Sequence, residues 1–253
     1  MNRISLCAVV LGLGITTVAG NAIASPVAVY SFNNTLSSSV GVAPDLTAVN
    51  PLGTSGFGTD VVFGNSQTVY NFSGTNFPTS DQGGLSLSTA GLLTSNSVYS
   101  VEMIFKFTQR EGEWRRILDV QNRQSDNGFY VDPSNNLDVF PIGGGSTFTN
   151  DVYHDVFLVD NNGVVKFYLD GSAQASLNTN VMDVDPSNLM NFFLDNVIAG
   201  GQGEYSNGSI ALIRLYNEAL GAPPPPATVP EPATLALLGI GLAGIAASRR
   251  RKQ

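Results

Sequence analysis

Residues 152–172 read VYHDVFLVDNNGVVKFYLDGS. Two apolar-rich runs flank Asp160-Asn161-Asn162-Gly163. Asn-Gly at such a junction supplies the positive-φ residues that a tight hairpin needs. Asp170-Gly171 closes the second run in the same way. The stretch predicts an antiparallel hairpin, and the flanking chain carries the same signals.

Val98 to Phe107 is the clearest single strand. Tyr99, Val101, Met103, Phe105 and Phe107 alternate onto one face, with Ser100, Glu102 and Lys106 opposite. Ile104 breaks the alternation, which suits a strand partly covered on both sides. Further strands are predicted at Val27–Phe32, Val61–Phe63, Thr68–Phe72, Trp114–Gln121, Gly128–Val131, Asn136–Phe140, about 190–194 and Ser209–Tyr216. Residues 33–60 are rich in Ser, Gly, Pro and Asn and read mostly as loop. Gly143-Gly144-Gly145 and Gly200-Gly201 lack the Lys and the strand–helix context of phosphate loops, so they too read as loops. Many short strands, frequent turns and no helix signal between the termini indicate an all-β, two-sheet antiparallel sandwich. About 205 residues between the terminal segments suffice for one such domain.

The hairpin ending in Tyr168-Leu169-Asp170-Gly171 resembles the laminin G-like (concanavalin A-like) jelly-roll family. So does the closing segment, from Phe193-x-Asp195 through a Gly-rich stretch with Glu204 to Gly208-Ser209-Ile210, Ile213-Arg214-Leu215-Tyr216 and Ala219-Leu220. The resemblance implies a jelly-roll domain over residues 25–221. It also implies binding at one rim of the sandwich, and calcium as a ligand of that rim.

The two ends read differently. Met1-Asn2-Arg3 is a short basic start, Ile4 to Gly20 is apolar, and Ala22-Ile23-Ala24 is a small-x-small site before Ser25. Residues 1–24 are thus expected to be a secretory signal peptide cut after Ala24. The single cysteine, Cys7, lies inside it, so the exported chain would have neither disulfide nor thiol chemistry. At the other end, 222–232 form a Pro-rich linker expected to be extended. Residues 233–248 carry no charge and Arg249, Arg250, Arg251 and Lys252 follow. As a helix the sixteen would span roughly 24 Å, short for a hydrocarbon core of about 30 Å. The basic cluster would hold the end on the cytoplasmic side. Val229-Pro230-Glu231-Pro232 and the tail 233–253, a short apolar helix with an Arg-rich terminus, resemble the PEP-CTERM sorting signal of Gram-negative bacteria. The resemblance implies an inner-membrane tether, an exosortase-type processing enzyme as partner, and delivery to the cell surface or extracellular matrix.

Between the terminal segments, seven Lys and Arg face nineteen Asp and Glu, a net charge of −12. Such a surface repels phosphate backbones, which argues against nucleic acid as a partner. It suits divalent cations or solubility in a matrix.

Candidate chemistry is sparse. Jelly-roll glucanases place alternating carboxyls on one strand, but Asp119 has Ile117 before it and Gln121 and Asn122 after it. Glu111-Gly112-Glu113 reads as a turn. His154, the only histidine, has no nucleophile elbow to serve and reads as a solvent-facing strand residue. Calcium wants several hard oxygens. Asp195, Asn196 and Glu204 bracket the Gly-rich loop and are the expected ligands, with Asp126, Asn127 and Asp132 as a second group. Trp114 is the only tryptophan and stands beside Arg115 and Arg116. These three are the expected ligand-binding residues, the indole stacking on polysaccharide or a surface protein and the guanidinium groups donating. The expectation is a non-catalytic binding module. The alternatives are a glycan-active hydrolase or lyase with carboxyls brought together from distant segments, and a structural matrix protein without a specific ligand.

Overall fold

A computed structural model describes residues 24–224. The expected signal segment up to Ile23, the motif Val229 to Pro232, the apolar segment 233–248 and Arg249 to Arg251 lie outside the described residues. Fifteen strands and one short 3-10 turn, Thr79–Asp81, make up the regular structure. One sheet holds β1 (Ala28–Tyr30), β3 (Gly56–Val62), β4 (Asn65–Phe72), β6 (Val98–Phe107), β11 (His154–Asn161), β12 (Val164–Leu169), β13 (Ser172–Asn178) and β15 (Gly208–Tyr216). Its order is β13-β12-β11-β6-β15-β4-β3, with β1 also paired to β15. The second sheet holds β2 (Thr47–Val49), β5 (Gly84–Ser88), β7 (Arg115–Asp119), β8 (Gly128–Val131), β9 (Asn136–Phe140), β10 (Gly143–Thr147) and β14 (Leu189–Phe192). Its order is β10-β9-β8-β7-β14-β5-β2. Every pairing is antiparallel, as in a jelly-roll sandwich.

The hairpin at 152–172 forms as its turn dictates. Asn162 and Gly163 adopt φ of 48° and 84°, and Asp160 pairs with Val165 across the strands. β11 then lies against β6, with Val159 opposite Ser100 and Asn161 opposite Val98. β6 spans the segment that its alternation predicts. Its five apolar side chains all face the interior, and its other face is covered as well. Tyr153, Val62, Val69 and Ala211 pack on Ile104, while Glu102 takes Arg214 at 2.9 Å.

The interior is closed by aromatic rings from both sheets. Phe72 of β4 stacks on Phe193, just beyond β14, at 4.0 Å between centroids. Phe105 and Phe107 contact Phe193 and Phe148. All five are buried, and each removes about 1.5–3 kcal/mol worth of apolar surface from water.

Residues 33–60 are mostly loop, as expected, with β2 and the larger part of β3 among them. Two expectations need correction. Gly143-Gly144-Gly145 begins the edge strand β10, where the Cβ position of Gly144 lies 2.4 Å from the Leu137 carbonyl oxygen and favours a residue without one. His154 does not face solvent. It is buried, its Nδ1 lies 2.7 Å from Asp170 Oδ2, and its Nε2 accepts from the Thr149 N–H at 3.2 Å.

Candidate functional site: a rim cleft above a buried charge network

β7 is buried along its whole length. Trp114 precedes it, half-buried at the rim, and meets Tyr130 and Phe140 edge-on at 5.5 and 5.4 Å between ring centroids. Those contacts fix the indole plane. Beside it opens a cleft of about 250 Å³ bordered by Arg110, Glu113, Trp114, Pro133, Gln202 and Glu204. Arg110 and Glu113 form an ion pair across the turn at Gly112, whose φ of 77° makes the bend. An aromatic face flanked by charged and amide groups can stack a sugar ring while bonding its hydroxyls.

Beneath the cleft the side chains of Arg115 and Arg116 turn inward, at 0% and 1% exposure. Arg115 donates to Asn150 and Asn135, and its guanidinium lies over the Phe107 ring at 5.7 Å. Burial lowers its pKa to about 10. Arg116 donates to Asp119 Oδ2 at 2.8 Å, to the Asp126 carbonyl at 2.8 Å and to Tyr130 Oη. The expectation that both arginines serve as rim donors beside Trp114 is corrected: the structure spends them on its own interior. A guanidinium offers donors in a fixed fork, and here neighbouring oxygens take those of the terminal Nη groups.

Asp195, Asn196 and Glu204 come together, as their spacing around the loop suggests, and Asp126 joins them. Asp195 Oδ2 accepts the N–H groups of Gly203 and Glu204 at 2.8 and 2.9 Å. Its Oδ1 lies 3.5 Å from Arg116 Nε. Asn196 Nδ2 donates to Asp126 Oδ1 at 2.9 Å and to the Gly201 carbonyl at 3.1 Å. Burial, with Asp195 and Asp126 close by, pushes the Glu204 carboxyl up to about 8. Burial also raises Asp126. Around them Arg123 donates to the Asp195 carbonyl at 2.6 Å and to Gln82 at 3.2 Å. Asp119, Arg123 and Gln82 are members of this network that the linear sequence gives no reason to select.

The calcium that the resemblance implies fits this arrangement poorly. Asn196 Oδ1 is buried without a hydrogen-bond partner, which would suit a cation. But Asp195 is already met by two N–H groups and a guanidinium, and Arg116 supplies the positive charge that a metal would bring. Among the described residues, no group of three or more His, Cys, Asp or Glu is placed to hold a metal ion. Asp132 is spent on its own turn, accepting from Asn136 N at 2.7 Å, and so does not join Asp126.

Comparison with known proteins places this geometry. The model of the PEP-CTERM protein-sorting motif matches residues 228–252. That motif marks exported proteins that are sorted to the cell envelope and processed by an exosortase. Among solved structures, domain 4 of AbnA, a GH43 extracellular arabinanase from Geobacillus stearothermophilus in complex with arabinotriose, is similar at 22% identity and a TM-score of 0.57, over 78% of this chain and 94% of that one. The binding domain of botulinum neurotoxin DC in complex with SialylT is similar at 13% identity and a TM-score of 0.52, over 76% of this chain and 47% of that one. Both likenesses concern the fold. No curated protein matches the chain. Among the described residues no helix is long and apolar enough to cross a membrane. The laminin G-type model of the concanavalin A-like lectin/glucanases superfamily matches residues 79–223, more than half of the sequence, and the chain belongs to that superfamily.

Proposed function

We propose that the protein is a non-catalytic glycan-binding module of the bacterial cell surface. In this reading the segment 1–24 is a signal peptide, and residues 233–248 hold the chain in the inner membrane until an exosortase-type enzyme acts near Pro230-Glu231-Pro232. The sandwich is then delivered to the surface or matrix, where its ligand is an extracellular polysaccharide or a glycan-bearing surface protein.

The observation that carries this reading is the rim cleft with Trp114 as its fixed aromatic wall. Polysaccharide would lie along the cleft, stacked on the indole, with Arg110, Glu113, Gln202 and Glu204 at its hydroxyls. The arabinotriose held by the similar arabinanase domain is a ligand of this class. A second feature supports binding over hydrolysis. Glycoside hydrolysis needs two carboxyls about 5–10 Å apart with the scissile bond between them. Of the two carboxyls that border the cleft, Glu113 is engaged by Arg110, which leaves Glu204 without a free partner there. A panel of soluble polysaccharides, assayed for binding to the full chain and to Trp114→Ala and for released reducing ends, tests the proposal. Retained binding in the variant, or sugar release by the wild type, would refute it.

A further inference from the structure

The two sheets end in four edges, β13 and β3 on one, β10 and β2 on the other. On one flank β13 and β10 close on each other, and Gln174 Oε1 of β13 accepts the Ser146 N–H of β10 at 2.7 Å. On the other flank β2 has only three residues. β3 is different. It has seven residues and pairs with β4 alone. Phe57, Thr59 and Val61 are exposed along it, and Phe63 stands exposed at the turn that follows. An edge of this kind is commonly blunted by lysine, proline or a bulge. Gly56–Val62 holds neither Lys nor Pro, and its ladder with β4 runs without a register shift. Its one charge, Asp60, is met by Lys106 at 2.8 Å and by Tyr153 Oη at 2.9 Å on the covered face.

The geometry of the hairpin decides which backbone groups of β3 are free. Phe63 and Gly64, at φ of 48° and 82°, make a two-residue turn that closes on the pair Val62 and Asn65. Such a closing pair exchanges both of its hydrogen bonds, and bonded and non-bonded pairs then alternate along the ladder. Asp60 and Gly58 therefore bond to β4, whereas the N–H and C=O groups of Phe57, Thr59 and Val61 point away from it. The Val61 N–H agrees: it donates to Asp60 Oδ1, in its own strand, at 2.8 Å. The three residues whose backbone faces the open edge are thus the three whose side chains are exposed.

We propose that β3 is an edge at which the protein pairs with a second copy of itself, β3 against β3, antiparallel about a two-fold axis through Thr59. The strand is self-complementary in that register. Thr59 meets Thr59 of the second copy, and Phe57 meets Val61 on either side of the axis as an apolar cross-strand pair. Asp60 meets Gly58, so no carboxylate faces another, and Lys106 already neutralises it. An axis at Phe57 or Val61 would run part of the strand past the end of its partner. About six ladder hydrogen bonds would form, and the sheet would continue across the axis. A seam of one strand pair is smaller than a standard interface, so the dimer should dissociate on dilution. The inference does not rest on the glycan reading. Where that reading holds, one dimer carries two rim clefts, and a repeating polymer would be held at two points.

Sedimentation of the full chain in mild detergent, at rising protein concentration, tests the seam. The wild type should pass from monomer to dimer. Val61→Lys should stay monomeric with an unchanged Tm, since that side chain is 61% exposed and an edge lysine blocks strand pairing. In a Cys7→Ser background, Thr59→Cys should give a covalent dimer on a non-reducing gel after mild oxidation. Residues paired across an antiparallel ladder have Cα atoms about 5.5 Å apart, within disulfide reach. Ser176→Cys, exposed on the β13 edge, should give none. A wild type that is monomeric at every concentration overturns the proposal. A dimer that survives Val61→Lys, or in which Thr59→Cys forms no disulfide, places the contact in the terminal apolar segments or another face and overturns it equally.

Discussion

Arg116 reaches Asp119 with Nη1 at 2.8 Å from Oδ2, and neither side chain touches solvent. This contact joins β7 to the loop that follows it, because Asp119 Oδ1 also accepts from the Arg123 N–H at 2.8 Å and from Asn191 Nδ2 at 3.0 Å. Removing one member of such a set leaves uncompensated charge in the interior. Arg116→Met should therefore lower the unfolding free energy by about 3–5 kcal/mol, read as a fall in the urea midpoint. Arg116→Lys should recover only part of that loss, since an ammonium cannot reproduce the fork that meets Asp119, Ser125 and Asp126 together. A near-neutral Arg116→Met would show that the network does not hold the site.

Trp114 should matter to ligand and little to folding. Its ring is half-exposed at the rim, whereas Tyr130 beneath it is buried. Trp114→Ala is expected to weaken polysaccharide binding by about 2 kcal/mol, roughly thirtyfold in Kd. Titration calorimetry on a glycan that binds the wild type gives the number, and the melting curve of the variant guards against misfolding.

Stability should fall as pH rises through neutrality. Burial pushes Asp155 up to about 7 and Glu204 up to about 8. Burial and the nearby Asp183 push Asp160 up as well. These groups keep protons in the folded chain that the unfolded chain has released above about pH 4.5. The folded state binds more protons through that window, so the unfolding free energy declines from about pH 4.5 to about pH 8 and then levels. Urea midpoints in EDTA at pH 5.5 and 8.5 measure the slope, and Asp160→Asn should flatten it.

Gly208 begins β15 where there is no space for a side chain. A Cβ there would lie 2.2 Å from the Lys106 carbonyl oxygen and 2.5 Å from the Phe72 ring. Gly208→Ala should cost about 1–3 kcal/mol through forced backbone and ring displacement. Chemical denaturation with tryptophan fluorescence from Trp114 would follow it.

Sorting can be separated from folding. A chain ending at Thr228 lacks nearly all of the matched motif, residues 228–252, and keeps the whole sandwich. It should be exported and appear in the soluble fraction, whereas the full chain is retained in the envelope. Identical fractionation of the two would remove the sorting role of the tail.

Much of the fold was legible because its signals are local. The hairpin turn at Asn162-Gly163 requires positive φ, and β6 shows its buried face by alternation, so neither needs the rest of the molecule to be recognised. The strands that escaped notice are those whose pairing is decided elsewhere. β3 was read only from Val61 on; its first part carries Phe57 and Thr59 to solvent and exists because β4 offers a ladder from Asn65 to Asn71. β13 is mostly exposed and survives by pairing with β12. β10 is a glycine run shaped by close approach to β9.

The site divides in the same way. Composition and motif alone determined an acidic β-sandwich bounded by apolar segments, with a lone tryptophan and a loop-borne set at Asp195, Asn196 and Glu204, because charge balance, turn chemistry and alternation are properties of neighbouring residues. Only the tertiary structure decided what those groups face. It turned Arg115 and Arg116 inward, set Arg116 between Asp119 and Asp195, buried His154 against Asp170, and withdrew Asp160 from solvent without an ion-pair partner among the described residues. Burial and the sign of the neighbouring charge set a polar group's role, and both come from segments far apart in the chain.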